Sequence, residues 1–574
     1  MSRDRRPFLI LPLVAFIAIS PLILRGCSCG HDFDFHLINW FEVARQLSHG
    51  TLLPHWAFTP AWNAGEPRFV FYPPLSWLFG AALGLVMPWT WTPVAYTWLV
   101  LTAAGFALYY TARSYASPNA ALVAAAIYLT NPYALYTAYE RTAYAELLAA
   151  VWLPLAIHAV LRERVSVLSI ALPVALLWLS NAPAAVMGCY VMAFIILIRL
   201  FLAALSRTSS LPSWLRSASG EAPNAPGDSQ SHTSLALTAL SGALLGLGLA
   251  SFYLIPAAYE RRFVRIDMAI LPGLSPWDNF LFQHTSDPEH DLVLHTASIV
   301  AVSLIALTAL TLLWIYATST KTDTRSSTPS GSVTSHLSLL LLILFLTIAV
   351  MLTPLSAPLW RHLPEIRFLQ FPWRLLAVLA PSMAFALALA LPRIHFRANL
   401  TSILCATIFV VPCYQAFHQR CYPEDTVPER LAVFRSANPG TDPTDEYTPT
   451  TADNDSLSQT NPGYWLATTA NSPAPPSAIA APAPHQLDLS PAAPTVLIFN
   501  LRDYPAWRVT LNHAVLTTRL PRKDGLIAIP IPAGPAHIQI TYITLPDQQL
   551  GYTLTALSFI AIVALLVHKR TRAH

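Results

Sequence analysis

The chain has 574 residues, of which 54% are hydrophobic and only 11% charged, with a formal net charge of +4. Soluble domains carry about 25% charged residues, so a water-soluble fold is excluded and the chain reads as a polytopic membrane protein. No Lys/Arg block is dense enough to track phosphates, which excludes a nucleic-acid partner, and six cysteines are too few for a disulfide scaffold.

The N-terminus, "MSRDRRPFLILPLVAFIAISPLILRGC", joins a basic head to an apolar run without a small-residue cleavage pattern, and reads as an uncleaved signal-anchor. Apolar runs then recur at about 75–88, 91–111, 118–138, 145–161, 166–180, 183–205, 234–256, 295–317, 336–353, 372–391, 399–415 and 551–567. Arg3, Arg5 and Arg6 at one end and Lys569, Arg570 and Arg572 at the other place both termini in the cytoplasm. The basic loops at Arg162/Arg164, Arg207, Lys321/Arg325 and Arg393/Arg397 fall on the same side. Two cytoplasmic ends require an even count, so the short run 75–88, which opens with "YPPL", reads as an interfacial or re-entrant helix, leaving about twelve spans.

The opposite face then receives residues 25–90, the loop 139–146, the loop 257–294 and a segment at about 416–550. The Ser/Pro/Gly stretch 206–233 reads as disordered. Residues 1–415 form the membrane domain and 416–494 an outer segment, of which 440–494 ("NSPAPPSAIAAPAPH") is a linker. Residues 495–545 alternate apolar and polar side chains in short runs such as "TVLIFNL" and "AWRVTLN", which is the pattern of a small antiparallel β domain tethered by a last span at 551–567. A Cys413–Cys421 disulfide is open to the chain if that side is oxidising.

Ionisable residues gather at one edge of the apolar frame. In "CGHDFDFHLINW", residues 29–40, Asp32 and His36 are four apart and share a helical face. A carboxylate there serves as a general base for an attacking hydroxyl. Alternatively, His31, Asp32, Asp34 and His36 offer mixed N/O ligands to a divalent metal, or the segment is merely a solvated loop. Residues 47–75 add Glu66, Arg68 and Tyr72 as substrate-binding candidates. Their plainer readings are a mutual Glu66–Arg68 pair and interfacial anchoring of Trp56, Trp62 and Tyr72. "YERTAYAELLA" supplies Glu140, Arg141 and Glu146, where a snorkelled arginine with a carboxylate partner is the plain alternative. Arg261, Arg262 and Arg265 lie outside against the positive-inside bias, and Arg374 opens a span in "RFLQFPWRLL"; an anionic phosphate accounts for both.

The pattern "GHDFDFHL…HGTLLPHW…GEPRFVFYPPL", with "RTAYAELLA" and "FLQFPWRLL", resembles the bacterial membrane family labelled 6-pyruvoyl-tetrahydropterin-synthase-related. The tail from "DYPAWRVTLN" to "AHIQITY" is similar to the extracytoplasmic β domain of YfhO-type proteins. Both groups stand with the GT-C-like multispanning glycosyltransferases. That resemblance implies an all-α polytopic membrane fold of the bacterial inner membrane with its active face extracytoplasmic. It also implies a polyprenyl-phosphate sugar donor and an acidic residue of the first outer loop at the reaction centre. By position that role falls on Asp32, then Asp34, with His36 beside it and Glu146 as a second acidic group. The label's pterin chemistry belongs to a small soluble zinc enzyme that helical spans cannot build. The loop 275–291 matches no motif, so acceptor-side residues stay unassigned. The competing readings are a transporter of lipid-linked sugar or polymer, which expects paired broken repeats, and a non-catalytic scaffold on the same frame.

Overall fold

A computed structural model describes residues 5–206, 232–270, 273, 275–319, 330–391, 397–475 and 480–571. Most of the 206–233 stretch, together with Lys321, Arg325 and Arg393, lies outside them. Eight helices among the described residues are long and apolar enough to cross a membrane, or up to ten if each of two bent pairs is one span. The chain is a multi-pass membrane protein, and its described residues hold fewer helices of spanning length than the twelve expected from run lengths.

The shortfall has local causes. The run 166–180 forms the helix Val167–Ser180, of only 14 residues, and the run 75–88, already left out of the twelve, forms Pro74–Val86, of 13. At 1.5 Å per residue these reach about 20 Å, short of a hydrocarbon core of about 30 Å. The run 118–138 breaks into Pro118–Leu129 and Pro132–Tyr139. Pro132 bars helical backbone at the residue before it, and the Asn131 side chain accepts from the Tyr133 and Ala134 amides to start the second helix. Two further runs bend sharply, by 77° between Thr233–Leu249 and Ser251–Phe263 and by 92° between His336–Met351 and Pro354–His362.

The span Pro372–Ala390 is 89% buried and forms the centre of the bundle, whereas Pro546–His568 is 11% buried and lies at its edge. Helix Phe33–Ser48 is amphipathic. It turns Phe33, Leu37, Trp40, Phe41 and Ala44 inward, and Trp40 stacks on Tyr96 at 5.1 Å.

Among the described residues seven strands make two antiparallel sheets towards the C-terminal end. β1 (Tyr464–Ala467), β3 (Thr495–Arg502) and β6 (Leu526–Ile531) form one, in the order β1-β3-β6. β2 (Gln486–Leu489), β4 (Trp507–Leu511), β5 (Ala514–Leu516) and β7 (Ala536–Tyr542) form the other, in the order β2-β7-β4-β5. Pairs such as Ile498–Ala528 and Val509–Ile540 fix the register. The β4–β5 turn is Asn512-His513, both with positive φ, as a two-residue hairpin demands. Two of these strands, β1 and β2, arise from the 440–494 stretch read as linker; each is only four residues long and gives a weak alternation signal.

The loop after helix Phe33–Ser48 reaches into this domain. Trp56, expected at a membrane interface, is buried against Tyr504 and Trp507. Ala57 bridges Glu66 through a turn whose Ala61, Trp62 and Asn63 have positive φ. Gly65 is required there, since a Cβ would fall 2.1 Å from the Trp56 indole nitrogen.

Candidate active site

Residues 28–32 run as an extended strap from the first helix to Phe33 and are fastened along their length. Ser28 donates its hydroxyl to the Tyr139 carbonyl at 2.7 Å, and the Cys29 amide donates to Gln419 O. The amides of His31 and Asp32 donate to the carbonyls of Glu140 and Arg141. Gly30 permits this contact, because any Cβ there would lie 2.2 Å from the Glu140 oxygen. A disulfide joins Cys29 to Cys421, and Gln419 donates to Glu140 at 2.7 Å. The Cys413–Cys421 expectation is therefore corrected. Cys413 faces the bundle interior as a buried thiol, while Cys421 follows the helix end and meets the strap.

The strap presents Asp32 at the start of helix Phe33–Ser48, where its side chain makes no capping bond and stays 44% exposed. Its carboxylate faces Arg141, with Nη2 3.6 Å from Oδ2. The other terminal nitrogen of Arg141 donates to Glu146 Oε2 at 2.6 Å, and Tyr133 donates to the remaining Glu146 oxygen. The guanidinium also lies on Trp373, 5.0 Å from the ring centre. Burial opposes the Arg141 charge, but Glu146 and Asp32 outweigh it and raise its pKa. Both oxygens of Glu146 are thus engaged, one by Arg141 and the other by Tyr133. Thr142, next in sequence, has φ +47, a strained backbone for a β-branched residue.

Arg374 approaches the same group from the 3₁₀ turn Pro372–Leu375. Its charge acts on Arg141, Glu146 and Asp32, and it lies 5.3 Å from the Phe371 ring centre. Its Nε is buried without a hydrogen-bond partner among the described residues. An unmet buried donor costs about 1–3 kcal/mol, so the position suits a bound anionic oxygen. Tyr72 faces this cluster, because its electrostatic neighbours include Asp32, Arg374 and Arg141. His36 is buried among Tyr144 at 5.4 Å and Tyr72 at 6.0 Å, and burial pushes its imidazole down to about 4.

The remaining candidates fall elsewhere. Asp34 points away from Asp32 to Arg430, 2.9 Å from its Nε; burial pushes the Asp34 carboxyl up, against the pull of Arg430. Two residues along a helix turn about 200°, so the two aspartates serve different faces. Glu66 and Arg68 pair at 2.7 Å, and Arg68 also donates to Asn39 and Thr444. They knit the first loop to the 444 segment. Arg261 is exposed and pairs with Glu365 at 3.4 Å, while Arg262 covers Tyr259. Their contacts are with Glu365 and Tyr259 rather than with the Asp32 group.

The four residues offered as metal ligands do not converge. Among the described residues no three His, Cys, Asp or Glu side chains gather to hold a metal ion. His31 is exposed, His36 is turned inward and Asp34 is drawn to Arg430. Sequence reasoning missed Tyr133 and Arg430 altogether. The "NPYALY" cap places Tyr133, a signal visible beforehand; Arg430 carries none.

Behind Glu146 lies a small cavity of about 30 Å³, lined by Tyr133, Thr137 and apolar side chains including Leu101, Leu147 and Ala377. The charged group therefore sits between the half-exposed Asp32 and a small, largely apolar hollow in the bundle.

No protein-family profile matches the chain, and no curated protein matches it. Among solved structures it is similar to the arabinofuranosyltransferase AftD from Mycobacteria, at 16% identity and a TM-score of 0.40, covering 73% of this chain and 27% of that one. A mutant of AftD gives 14% identity and the same TM-score. The oligosaccharyltransferase of Archaeoglobus fulgidus, solved with Zn and sulfate, gives 16% identity and a TM-score of 0.35, covering 72% of this chain and 54% of that one. The chain thus spans about a quarter to a half of the length of the structures it matches.

Proposed function

We propose that the chain is a GT-C-type membrane glycosyltransferase that moves a sugar from a polyprenyl-phosphate donor to an acceptor at the outer face of the bacterial inner membrane. The observation that carries this reading is the half-exposed Asp32 carboxylate held beside a locked Arg141 and a partly unsatisfied Arg374. Asp32 takes the proton of an acceptor hydroxyl, whose oxygen forms the new bond to the anomeric carbon. The bond from that carbon to the donor phosphate breaks, and its electron pair leaves on the phosphate oxygen. Arg374 and Arg141 neutralise that developing charge.

The Cys29–Cys421 disulfide, which needs an oxidising compartment to persist, supports an extracytoplasmic site. With the basic ends of the chain, it favours two cytoplasmic termini. The test is transfer of radiolabel from a panel of polyprenyl-phosphate sugars to envelope extract by protein in lipid, with Asp32→Asn as the comparison. Wild type transfers, and the variant binds donor while losing at least about a hundredfold in turnover. Equal turnover in both places the base elsewhere.

A further inference from the structure

Arg141 and Arg374, the two cations assigned to the leaving phosphate, rest on one pair of stacked rings. The Arg141 guanidinium lies over Trp373, 5.0 Å from the ring centre, and that of Arg374 lies over Phe371, at 5.3 Å. Trp373 and Phe371 stack on each other, with centroids 5.1 Å apart and planes 9° from parallel. Two like charges are thus seated on adjoining rings of one short segment, residues 371–374.

The indole is held from several sides. Trp373 is 2% exposed, and Tyr136 meets it nearly at right angles, at 87° and 5.8 Å. The Tyr136 carbonyl also accepts the Arg141 amide at 3.1 Å, so the residue that braces the indole also braces the backbone carrying the guanidinium. Ahead of the stacked pair, Gln370 holds φ +62 and donates its side-chain amide to the Ala269 carbonyl at 2.7 Å, which anchors the turn. Pro372 opens the 3₁₀ turn Pro372–Leu375, and its ring restricts the backbone between the two aromatics. Trp373 Nε1 is buried without a hydrogen-bond partner among the described residues, so the indole acts there through its face and not its N–H.

A hydrogen bond from one nitrogen leaves a guanidinium free to swing about that bond. Arg141 donates from Nη1 to Glu146 at 2.6 Å, while Nη2 stands 3.6 Å from Asp32, beyond hydrogen-bonding distance. Glu146 therefore fixes one corner of the group, and Asp32 does not fix the other. The flat face of Trp373, the ring type most favourable to a cation, supplies the missing constraint. We infer that Trp373 is a positioning residue for sugar transfer: it sets the plane of Arg141 so that Nη2 faces Asp32 and the departing phosphate oxygen. The role in transfer rests on the transferase reading; the hold on Arg141 does not.

The test compares Trp373→Phe, which keeps an aromatic face, with Trp373→Leu, which keeps only apolar bulk. Trp373→Leu should lower kcat about ten- to thirtyfold and leave the donor KM within about twofold, since Arg141 meets charge that develops only in the transition state. Trp373→Phe should recover most of that loss. Because Trp373 acts through Arg141, adding Trp373→Leu to Arg141→Gln should cost no further turnover. Losses that multiply in the double variant, or a raised donor KM at wild-type kcat, overturn the inference. So does wild-type kcat in Trp373→Leu. Should Trp373→Leu fall short of the wild-type thermal midpoint, Trp373→Met carries the same comparison with a longer and more adaptable side chain. Phenylglyoxal modification, read by peptide mass spectrometry, needs no turnover and separates this inference from the transferase reading. Arg141 should be protected in wild type and in Trp373→Phe and modified several-fold faster in Trp373→Leu, with the buried Arg68 unchanged. That pattern sustains the hold on Arg141 even if no donor is transferred. Equal protection of Arg141 in every variant overturns it.

Discussion

One terminal nitrogen of Arg141 lies 2.6 Å from Glu146 and the other 3.6 Å from Asp32, so a single buried side chain joins the locked carboxylate to the exposed one. Glu146 then acts by position. Glu146→Gln keeps the shape and the Tyr133 contact but weakens the hold on Arg141. We expect turnover to fall up to about a hundredfold, the usual consequence of a misplacement near 1 Å. Removing one partner of a buried pair also costs about 3–5 kcal/mol, so the thermal midpoint falls as well. A variant with wild-type turnover and midpoint would show that Arg141 needs no second carboxylate.

The Cys29–Cys421 disulfide crosses 392 residues of sequence and pins the strap three residues before Asp32. Paired Cys29→Ser and Cys421→Ser changes should lower stability by about 2–4 kcal/mol. Turnover should drop more than donor binding does, because the strap positions the base and not the phosphate. Circular dichroism melts with and without reductant, beside the transfer assay, read both effects. Unchanged turnover in the reduced protein would mean that the backbone bonds to Glu140 and Arg141 suffice to hold Asp32.

The membrane class, the β domain and the grouping of Asp32, Arg141, Glu146 and Arg374 on one edge were all legible in the sequence, because charge in an apolar chain has few places to go. What was not legible depends on distant packing. Asp32 and Asp34 look equivalent in "HDFDFH", and only the arrival of Arg430 from a later segment separates them. Cys421 is eight residues from Cys413 but meets Cys29, since the helix Ala398–Phe417 ends beside the strap. Arg261 and Arg262 share the sign of Arg374 but meet Glu365 and Tyr259 instead, partners that hydropathy does not reveal.

His36 gives a pH prediction with a definite sign. Burial lowers its pKa from 6.5 to about 4 in the folded chain. Between those values the unfolded chain binds a proton that the folded one does not, so stability present above pH 6.5 is lost as pH falls towards 4. The loss is on the order of 3 kcal/mol. His55, lowered to about 4 by burial, acts in the same direction. Asp34, raised by burial, acts with the opposite sign, since the folded chain holds its proton to higher pH. His36→Phe keeps the aromatic packing and removes one titration. Its thermal midpoint should therefore fall less steeply between pH 6.5 and 4 than that of wild type, and parallel curves would refute a buried neutral His36.

Arg374 and the pair Arg261/Arg262 make a matched comparison, since all three are arginines on the face assigned to the donor phosphate by charge alone. Arg374 Nε is buried without a partner among the described residues, whereas Arg261 already meets Glu365 and Arg262 covers Tyr259. Exposed ion pairs such as Arg261–Glu365 contribute about 0–1 kcal/mol. Arg374→Ala should thus raise the donor KM and lower turnover together, by about ten- to a hundredfold in their ratio if one charge-assisted bond of about 1.5–3 kcal/mol is lost. Arg374→Lys should recover only part of that, because an ammonium cannot reproduce the planar fork. Arg261→Ala and Arg262→Ala should stay within about twofold of wild type. If the exposed pair instead carries the larger effect, the phosphate binds at the bend near Glu260, and the orphaned nitrogen of Arg374 answers to something other than the donor.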